Sequence, residues 1–231
     1  MPLDPFLQQS QENVQPAQAS LCAGQAVFGG RFVLERHLGQ GGMGQVWLAQ
    51  DTTLDQPRAL KFVLPALLSD AAARKRLRNE ARLGTELAHP RIVRVFDFVE
   101  ETGGSPLAAV VMEFVEGQTL RELVRIRKKL DPITGVRLML DVANGLAYAS
   151  TLGVTHRDMK LSNVLVTSTG KGKLVDFGLA ALADTSNDAA LADCPSARAI
   201  DYAALERGTG VRKDDPRSDI YFFGSMLYNI L

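Results

Sequence analysis

Apolar and β-forming residues cluster in five short segments of the first half of the chain, with the partial alternation typical of half-buried strands. These segments are residues 31–38, 46–49, 59–64, 92–99 and 107–114. Between the third and fourth segments, apolar residues recur at helical spacing from Ser69 or Asp70 to about Ala88, before His89-Pro90. The first half is therefore predicted to contain five strands and one helix.

Helical patterns dominate after Glu116-Gly117. Thr119 can cap a short helix, and Asp131-Pro132 begins a longer helix that ends at Gly153. The predicted buried face of the longer helix carries Ile133, Val136, Leu140, Ala143 and Leu146. The pattern is completed by a final helix, an irregular stretch at 179–205 and short strands at 164–167 and 173–175.

The two ends of the chain differ from the rest. Residues 1–28 are rich in Gln, Pro, Ala and Ser and offer little apolar surface to offset the entropy of ordering, so a flexible tail is predicted, with a partner-binding peptide as the alternative. Residues 220–231 are mostly apolar on every side of a helix, which is typical of a buried helix. Because the sequence stops there, it is either a fragment or this helix is the centre of a lobe built by earlier residues.

Composition narrows the class of protein. The 231 residues have a mass of 25.1 kDa and include 46% hydrophobic and 23% charged residues, which excludes a wholly disordered chain, a collagen and a coiled-coil rod. Because 26 Lys and Arg balance 26 Asp and Glu, nothing indicates global attraction to nucleic acid or an acidic membrane. Cys22 and Cys194 match no metal spacing and suggest a reducing compartment. With no secretory signal and no apolar run of about 18 residues, a cytoplasmic location is expected.

A glycine-rich turn, Gly39-Gln40-Gly41-Gly42-Met43-Gly44, joins the first two predicted strands and matches G-x-G-x-x-G. A dinucleotide-binding fold needs a helix to begin at the last glycine, whereas Gln45 onward continues as a strand. What remains is a glycine-tipped hairpin, whose backbone can lie close over an anionic group and donate N–H groups to it. Taken alone, a plain tight hairpin fits this feature equally well.

Lys61 lies in the middle of an apolar strand, where a charge is costly unless it is paired. Glu80, in the helix that follows, is a candidate partner. Taken alone, each of the two is also explained as a solvated surface charge.

Oxygen-bearing side chains follow the long helix, in the segments His156-Arg157-Asp158-Met159-Lys160-Leu161-Ser162-Asn163 and Asp176-Phe177-Gly178. Asp158, Asn163 and Asp176 supply a proton acceptor and the hard oxygen ligands that Mg²⁺ prefers together with phosphate oxygens. Either segment alone is compatible with a loop that contains Asx turns. Their order behind a glycine hairpin and a strand lysine indicates a single site instead.

With these motifs the chain resembles a serine/threonine protein kinase of the bacterial Hanks type, over about residues 31–231. The resemblance implies an α+β, two-lobed fold. Residues 29–113 would form a β-rich N-lobe with one helix, and residues 114–231 a mainly helical, incomplete C-lobe. The C-lobe would end within its central helix, which starts near Asp219, so the chain resembles a C-terminally truncated kinase.

The resemblance also implies an ATP site. The glycines that would cover its phosphates are Gly39, Gly41, Gly42 and Gly44. Lys61 would hold the α- and β-phosphates and pair with Glu80. The apolar residues that would enclose the adenine are Leu38, Val46, Ala59 and Leu165. Met112 would guard the back of this pocket, and Glu113 to Val115 would form the hinge between the lobes.

Catalytic roles follow from the same resemblance. Asp158 would accept the proton of the substrate hydroxyl, and Lys160 would balance charge on the transferring phosphoryl group. Asn163 and Asp176 would bind Mg²⁺. His156 is interpreted as a packing and hydrogen-bonding residue rather than a base.

Three features depart from the kinase pattern. Leu205 stands where proline is usual, and Ala199 stands where a Thr hydroxyl usually bonds to Asp158 and Lys160. The helices that complete the larger lobe in other members are missing. The chain is therefore expected to be marginally stable or prone to aggregation, with exposure of Phe222, Phe223, Leu227, Ile230 and Leu231.

The function implied by the resemblance is ATP- and Mg²⁺-dependent transfer of the γ-phosphoryl group to Ser or Thr hydroxyls of protein substrates, in signalling. Ala199, Leu205 and the missing helices favour one alternative, a pseudokinase that binds nucleotide or acts as a scaffold. Lys160 and the 179–205 stretch argue against another, a small-molecule phosphotransferase. No nucleic-acid partner and no membrane segment within this chain are expected, and a membrane anchor in a longer parent chain stays open.

Overall fold

The computed structural model describes residues 21–41, 44–68, 71–101, 106–177 and 215–231. The elements of the first half are β1 (Ala26–Val27), β2 (Phe32–Gly41), β3 (Gly44–Asp51), β4 (Gln56–Phe62), α1 (Pro65–Leu68), α2 (Ala71–Glu86), β5 (Val95–Glu101) and β6 (Leu107–Glu113). Those of the second half are β7 (Gly117–Thr119), α3 (Leu120–Arg127), α4 (Pro132–Thr151), a 3-10 turn (Leu161–Asn163), β8 (Val164–Thr167), β9 (Gly172–Leu174) and α5 (Pro216–Ile230).

The first six strands form one antiparallel sheet in the order β1-β2-β3-β4-β6-β5. All five predicted strands are present, although β5 begins at Val95 rather than at residue 92. The predicted helix is α2, and the one-turn helix α1 that precedes it was not predicted. The predicted tail boundary at residue 28 is wrong, because β1 pairs with β2 and Gly24 N donates to Leu34 O at 2.7 Å. Residues 1–20 of that tail lie outside the described residues.

The two faces of this sheet are buried by different partners. On one face, Phe32 and Leu60 belong to a core that Leu21 and Phe28 cover from the N-terminal side. This packing holds residues 21–28 against the sheet. The opposite face carries a second apolar cluster, described below, which includes residues of the second half.

Both predicted helix starts in the second half are confirmed. The Thr119 hydroxyl accepts the Glu122 N–H at 3.1 Å, and the Glu122 carboxylate accepts the Thr119 N–H at 2.9 Å, which is a capping box before α3. Asp131 caps α4 by accepting the Thr134 N–H at 3.0 Å, with Pro132 in the first turn.

The predicted buried face of α4 is correct at Leu146 and wrong at three of its other positions. Ile133, Val136 and Leu140 are 63%, 53% and 59% exposed. Besides Leu146, the buried face carries Gly135, Leu138, Met139, Val142, Gly145 and Ala149. Two glycines on this face allow neighbouring elements to approach the helix backbone, and this close packing outweighs the periodicity of the larger apolar residues.

Strands β7, β8 and β9 form a small antiparallel sheet in the second half. The strand predicted at 173–175 is β9, which begins one residue earlier. Leu174 N donates to Arg91 O and Val93 N donates to Leu174 O, each at 2.8 Å. Residues 91–93 therefore pair with β9 instead of extending β5, which is why β5 starts late and how the two halves are joined.

Helix α5 is buried on one side only. The expectation that Phe222 and Ile230 are exposed is wrong, because both lie in the core of the second half, and Phe223 and Leu227 pack partly buried against it. Leu231 is exposed, as expected. The outer side of α5 also exposes Ile220, Tyr221 and Tyr228. Within the ranges that the structure describes, no helix is long and apolar enough to cross a membrane.

Candidate active site

The glycine-rich turn connects two paired strands, as the sequence predicts. Gly39 lies opposite Val46 and Gly41 opposite Gly44 in the β2–β3 register. Gly44 has a φ of 136°, and a Cβ on it would lie 2.0 Å from the Phe62 carbonyl oxygen, so only glycine fits there. Gly42 lies outside the described residues.

Lys61 projects from β4 and is buried. Its Nζ lies 2.8 Å from Oδ1 of Asp176, which is an ion pair between the two halves of the chain. The buried lysine therefore has the partner that its position in an apolar strand demands. Glu80 lies on α2, but its side chain is outside the described set, so its pairing with Lys61 stays a prediction.

The Asp176 carboxyl is held in its ionised form. Burial acts to raise the pKa of Asp176, but the charge and the hydrogen bond of Lys61 outweigh it, and the pKa lies below its ordinary value. Lys160 lowers it further through weaker attraction. The backbone of Asp176 has a φ of 66°, an uncommon conformation for a residue with a side chain.

Asp158 and Asn163 face each other across the turn after α4. Nδ2 of Asn163 donates to the Asp158 carbonyl oxygen at 2.8 Å and to its Oδ2 at 2.9 Å. Nζ of Lys160 donates to the same Oδ2. The Asp158 carboxylate is thereby oriented by a neutral amide and a cation.

His156 lies behind these residues, fully buried. Its Nε2–H donates to the Val175 carbonyl oxygen at 2.9 Å, and its Nδ1 accepts the Asp158 N–H at 3.3 Å. Its ring also contacts the Phe177 ring, with centroids 4.6 Å apart. His156 therefore supports the backbone at Asp158 and on both sides of Asp176. This agrees with its interpretation as a packing and hydrogen-bonding residue.

Asp219 anchors the backbone next to Asp158, a role that the sequence analysis missed. From α5 its carboxylate accepts the N–H of His156 at 2.7 Å and of Arg157 at 2.9 Å. Arg157 has a φ of 66°, and these two bonds hold that uncommon backbone conformation. The available signal was an acidic residue in the first turn of α5, directly before a mostly apolar run.

An apolar cluster adjoins the polar group, because Val175 packs against it directly before Asp176. Ala59 and Met112 lie in one buried cluster with Val93 and Val110. The partly buried residues packed against that cluster are Leu38, Val46, Val95, Phe98, Val115, Leu165 and Val175. The six apolar residues predicted to surround the adenine are therefore neighbours, although they come from distant parts of the sequence. They are Leu38, Val46, Ala59, Met112, Val115 and Leu165.

Glu113 follows the cluster residue Met112 at the end of β6. Its Oε1 accepts from the Lys173 ammonium group, and its Oε2 accepts the Arg94 N–H at 3.2 Å. The Glu113 carboxylate is therefore occupied by β9 and by the linker before β5, so its contribution to a nucleotide site would come from its backbone.

The donor atoms fit a divalent ion that is shared with a phosphate ligand. Within the described residues, Oδ1 of Asn163 and Oδ2 of Asp176 accept no hydrogen bond and are available as hard ligands. The described ranges contain no group of three or more His, Cys, Asp and Glu side chains placed for a metal. An ion here would complete its coordination with water and phosphate oxygens, as Mg²⁺ commonly does.

Comparison with known sequences agrees with this geometry. Residues 32–231 match the family described as Protein kinase domain. A probable serine/threonine-protein kinase of Streptomyces coelicolor is 35% identical over 205 residues, which are 88% of this chain and 30% of that protein. The serine/threonine-protein kinase PknB of Mycolicibacterium smegmatis is 37% identical over 203 residues, 87% of this chain and 32% of that protein. The chain thus spans about a third of the length of these relatives.

Solved structures give the same result for the fold. The PknI kinase domain of Mycobacterium tuberculosis superposes with a TM-score of 0.69 at 27% identity, over 91% of this chain and 76% of that one. A double mutant of the same domain gives a TM-score of 0.70. The predicted two-lobed α+β fold is confirmed, whereas the boundaries predicted for its two lobes stay a prediction.

Proposed function

The chain belongs to the protein kinase family, alongside bacterial serine/threonine kinases, and from this premise we propose that it transfers the γ-phosphoryl group of Mg·ATP to Ser or Thr hydroxyls of proteins. The observation that carries the proposal is that one buried histidine, His156, bonds to the backbone of Asp158 and to that of Val175, next to Asp176, so that two oriented aspartates flank it. Asp176 is paired with Lys61, Asp158 is paired with Lys160, and Asn163 lies next to Asp158. Such a group suits phosphoryl transfer, which depends on positioning and on neutralising charge.

The proposed nucleotide position follows from the chemistry of the cleft walls. The adenine would lie against the apolar cluster, between Ala59 and Leu165, and the phosphates would lie under the turn at Gly39–Gly44. Lys61 would bind phosphate oxygens while still balancing Asp176, because an ammonium group has three donors. A bound Mg²⁺ would neutralise charge on the phosphates, held by Asn163 and Asp176.

The proposed chemistry at the acceptor rests on Asp158. Its carboxylate would accept the proton of the incoming Ser or Thr hydroxyl as the oxygen attacks the γ-phosphorus. Lys160 would donate to the transferring phosphoryl group from its position beside Asp158. Asn163 would keep the carboxylate turned toward the hydroxyl through the hydrogen bond to Oδ2.

Replacement of Asp158 tests this proposal. The full chain is incubated with γ-labelled ATP, Mg²⁺ and a general protein acceptor, and label transfer is compared with the Asp158→Asn variant. Loss of a proton acceptor is expected to lower turnover by about 10²- to 10⁴-fold. ATP affinity is expected to stay near that of the wild type, because the variant keeps Lys61 and the metal ligands.

Asp55→Asn is the matched control, since it makes the same change in an exposed turn far from the cleft. It should transfer label like the wild type. Full transfer by Asp158→Asn would contradict the role of this aspartate. Tight ATP binding by a wild type that transfers no label would contradict the proposed activity and indicate a nucleotide-binding module.

A further inference from the structure

The strand that leads into Asp176 is held by residues outside the proposed phosphotransfer site. β9 ends at Leu174, two residues before Asp176. The backbone of Leu174 pairs with residues 91–93 through two hydrogen bonds of 2.8 Å. Val175 N then donates to Asn163 O at 3.0 Å. The location of the Asp176 carboxylate relative to Asn163 therefore depends on where β9 lies.

Asp141 of α4 contacts both β9 and the segment 91–93 that pairs with it. Its Oδ2 accepts the N–H of Gly172, the first residue of β9, at 2.9 Å. Its Oδ1 lies 2.9 Å from Nε of Arg91. The Arg91 and Asp141 side chains are only 25% and 13% exposed, so water screens this ion pair less than a surface pair. One carboxylate thus ties β9 and residues 91–93 to the same helix.

Two glycines bring α4 into close contact with the same strand. A Cβ on Gly172 would lie 3.2 Å from the Cβ of Asp141 and 3.2 Å from the Leu138 carbonyl oxygen. A Cβ on Gly145 would lie 3.0 Å from Cδ1 of Leu174 and 3.1 Å from the Arg91 carbonyl oxygen. An added methyl group at either position would require its neighbours, a backbone carbonyl among them, to move by a few tenths of an ångström.

We propose that Asp141 is a positioning residue for the metal site: together with Arg91, Gly145 and Gly172 it fixes β9 on α4 and thereby sets the spacing of Asp176 and Asn163. We call these four residues the α4–β9 joint. The inference rests on the proposed function, because Asp176 and Asn163 act together only if they share a divalent ion. Groups that hold metal ligands in place typically contribute about 10- to 100-fold to metal affinity.

The test measures the Mg²⁺ dependence of nucleotide binding, without turnover. The full chain is titrated with fluorescent N-methylanthraniloyl-ATP in EDTA and at increasing Mg²⁺ concentrations. Asp141→Ala removes both contacts of the carboxylate. It is expected to keep the Mg²⁺-free affinity within about two-fold and to raise the Mg²⁺ concentration of half-maximal effect by about ten-fold. Asp141→Asn keeps an acceptor for Gly172 and should give a smaller shift, which provides the readout if Asp141→Ala does not fold.

A pair of glycines on α4 supplies the matched control. Gly145→Ala crowds Leu174 and the Arg91 carbonyl and should shift the Mg²⁺ dependence in the same direction. Gly135→Ala makes the same change on the same helix but crowds Leu231 near the end of α5, and should not shift it. Unchanged Mg²⁺ dependence in folded Asp141→Asn and Gly145→Ala overturns the inference and leaves the proposed function standing. A wild type that binds no nucleotide overturns both.

Discussion

At the scale of single residues, the cleft keeps an ionised pair next to a neutral imidazole. Lys61 and Asp176 stabilise each other as charges, whereas complete burial lowers the pKa of His156 below its ordinary value. Attraction from the nearby carboxylates of Asp219, Asp158 and Asp176 acts in the opposite direction without overcoming burial. The neutral ring has a hydrogen-bond partner for each nitrogen, because one nitrogen donates to the Val175 carbonyl oxygen and the other accepts the Asp158 N–H.

This neutral histidine predicts a loss of stability in acid. The ordinary pKa of His156 is 6.5 and the folded value lies lower, so its contribution is complete above about pH 6.5 and is lost as the pH falls through the folded pKa. The free energy of unfolding is expected to fall by at most about 1.4 kcal/mol per pH unit in that range. Urea unfolding of the wild type and His156→Gln at about pH 7.5 and pH 5.5 measures it. The same pH dependence in both proteins would rule out His156 as its source.

The sequence identified the charged residues of the site better than their contacts. The position of Lys61 within an apolar strand indicates that its charge needs a partner, and the structure supplies Asp176, which lies far along the chain. Asp219 was seen only as a landmark of the last helix. Its bonds to the backbone of His156 and Arg157 span more than sixty residues, and no local pattern encodes such a contact.

At the scale of elements, local patterns predicted where helices start but not which way they face. Thr119 and Asp131 cap their helices through hydrogen bonds to residues three positions away, so the caps can be predicted from the local sequence. The buried face of α4 depends on neighbours that are distant in sequence. Gly145 and Gly135 lie on the buried face and permit those neighbours to approach the helix. A pattern of large apolar residues does not count glycine, so it cannot locate this face.

A matched pair of leucines on α4 tests the corrected face. Leu138 is buried and Leu140 is largely exposed. In this chain, Leu138→Ala is expected to lower the free energy of unfolding by about 2–5 kcal/mol, because it leaves a cavity. Leu140→Ala should change it by less than about 0.5 kcal/mol. Urea denaturation of both variants gives the comparison. A larger loss of unfolding free energy for Leu140→Ala than for Leu138→Ala would favour the face predicted from periodicity.

At the scale of the whole molecule, the two halves are joined at the Lys61–Asp176 pair, at the Glu113–Lys173 pair and along β9. The core of the second half also includes Leu87 and Ile92 of the first half. Apolar residues nevertheless remain exposed on the outer sides of two helices. These residues are Ile133, Val136 and Leu140 on α4, and Ile220, Tyr221 and Tyr228 on α5. The sequence predicted exposed apolar surface but assigned part of it to Phe222 and Ile230, since facing could not be deduced without the packing partner.

This surface predicts binding of a hydrophobic dye by the folded chain. Apolar patches of this kind are uncommon on monomeric soluble proteins and promote association. The wild type should bind anilinonaphthalene sulfonate below its melting temperature and scatter more light as its concentration rises. The double variant Ile220→Gln/Tyr228→Gln should show less of both effects. A cooperative melt with no dye binding at any temperature below it would contradict the prediction.

The central claim is that side chains of both lobes bind one magnesium–nucleotide complex in the cleft between them. Calorimetric titration with ATP, in EDTA and in excess Mg²⁺, tests it most directly. We expect Mg²⁺ to strengthen binding to the wild type, Asp176→Asn to abolish that gain while it keeps Mg²⁺-free binding, and Lys61→Met to weaken binding under both conditions. ATP binding by Asp176→Asn with the full Mg²⁺ gain of the wild type, or by Lys61→Met with unchanged affinity, would contradict the account.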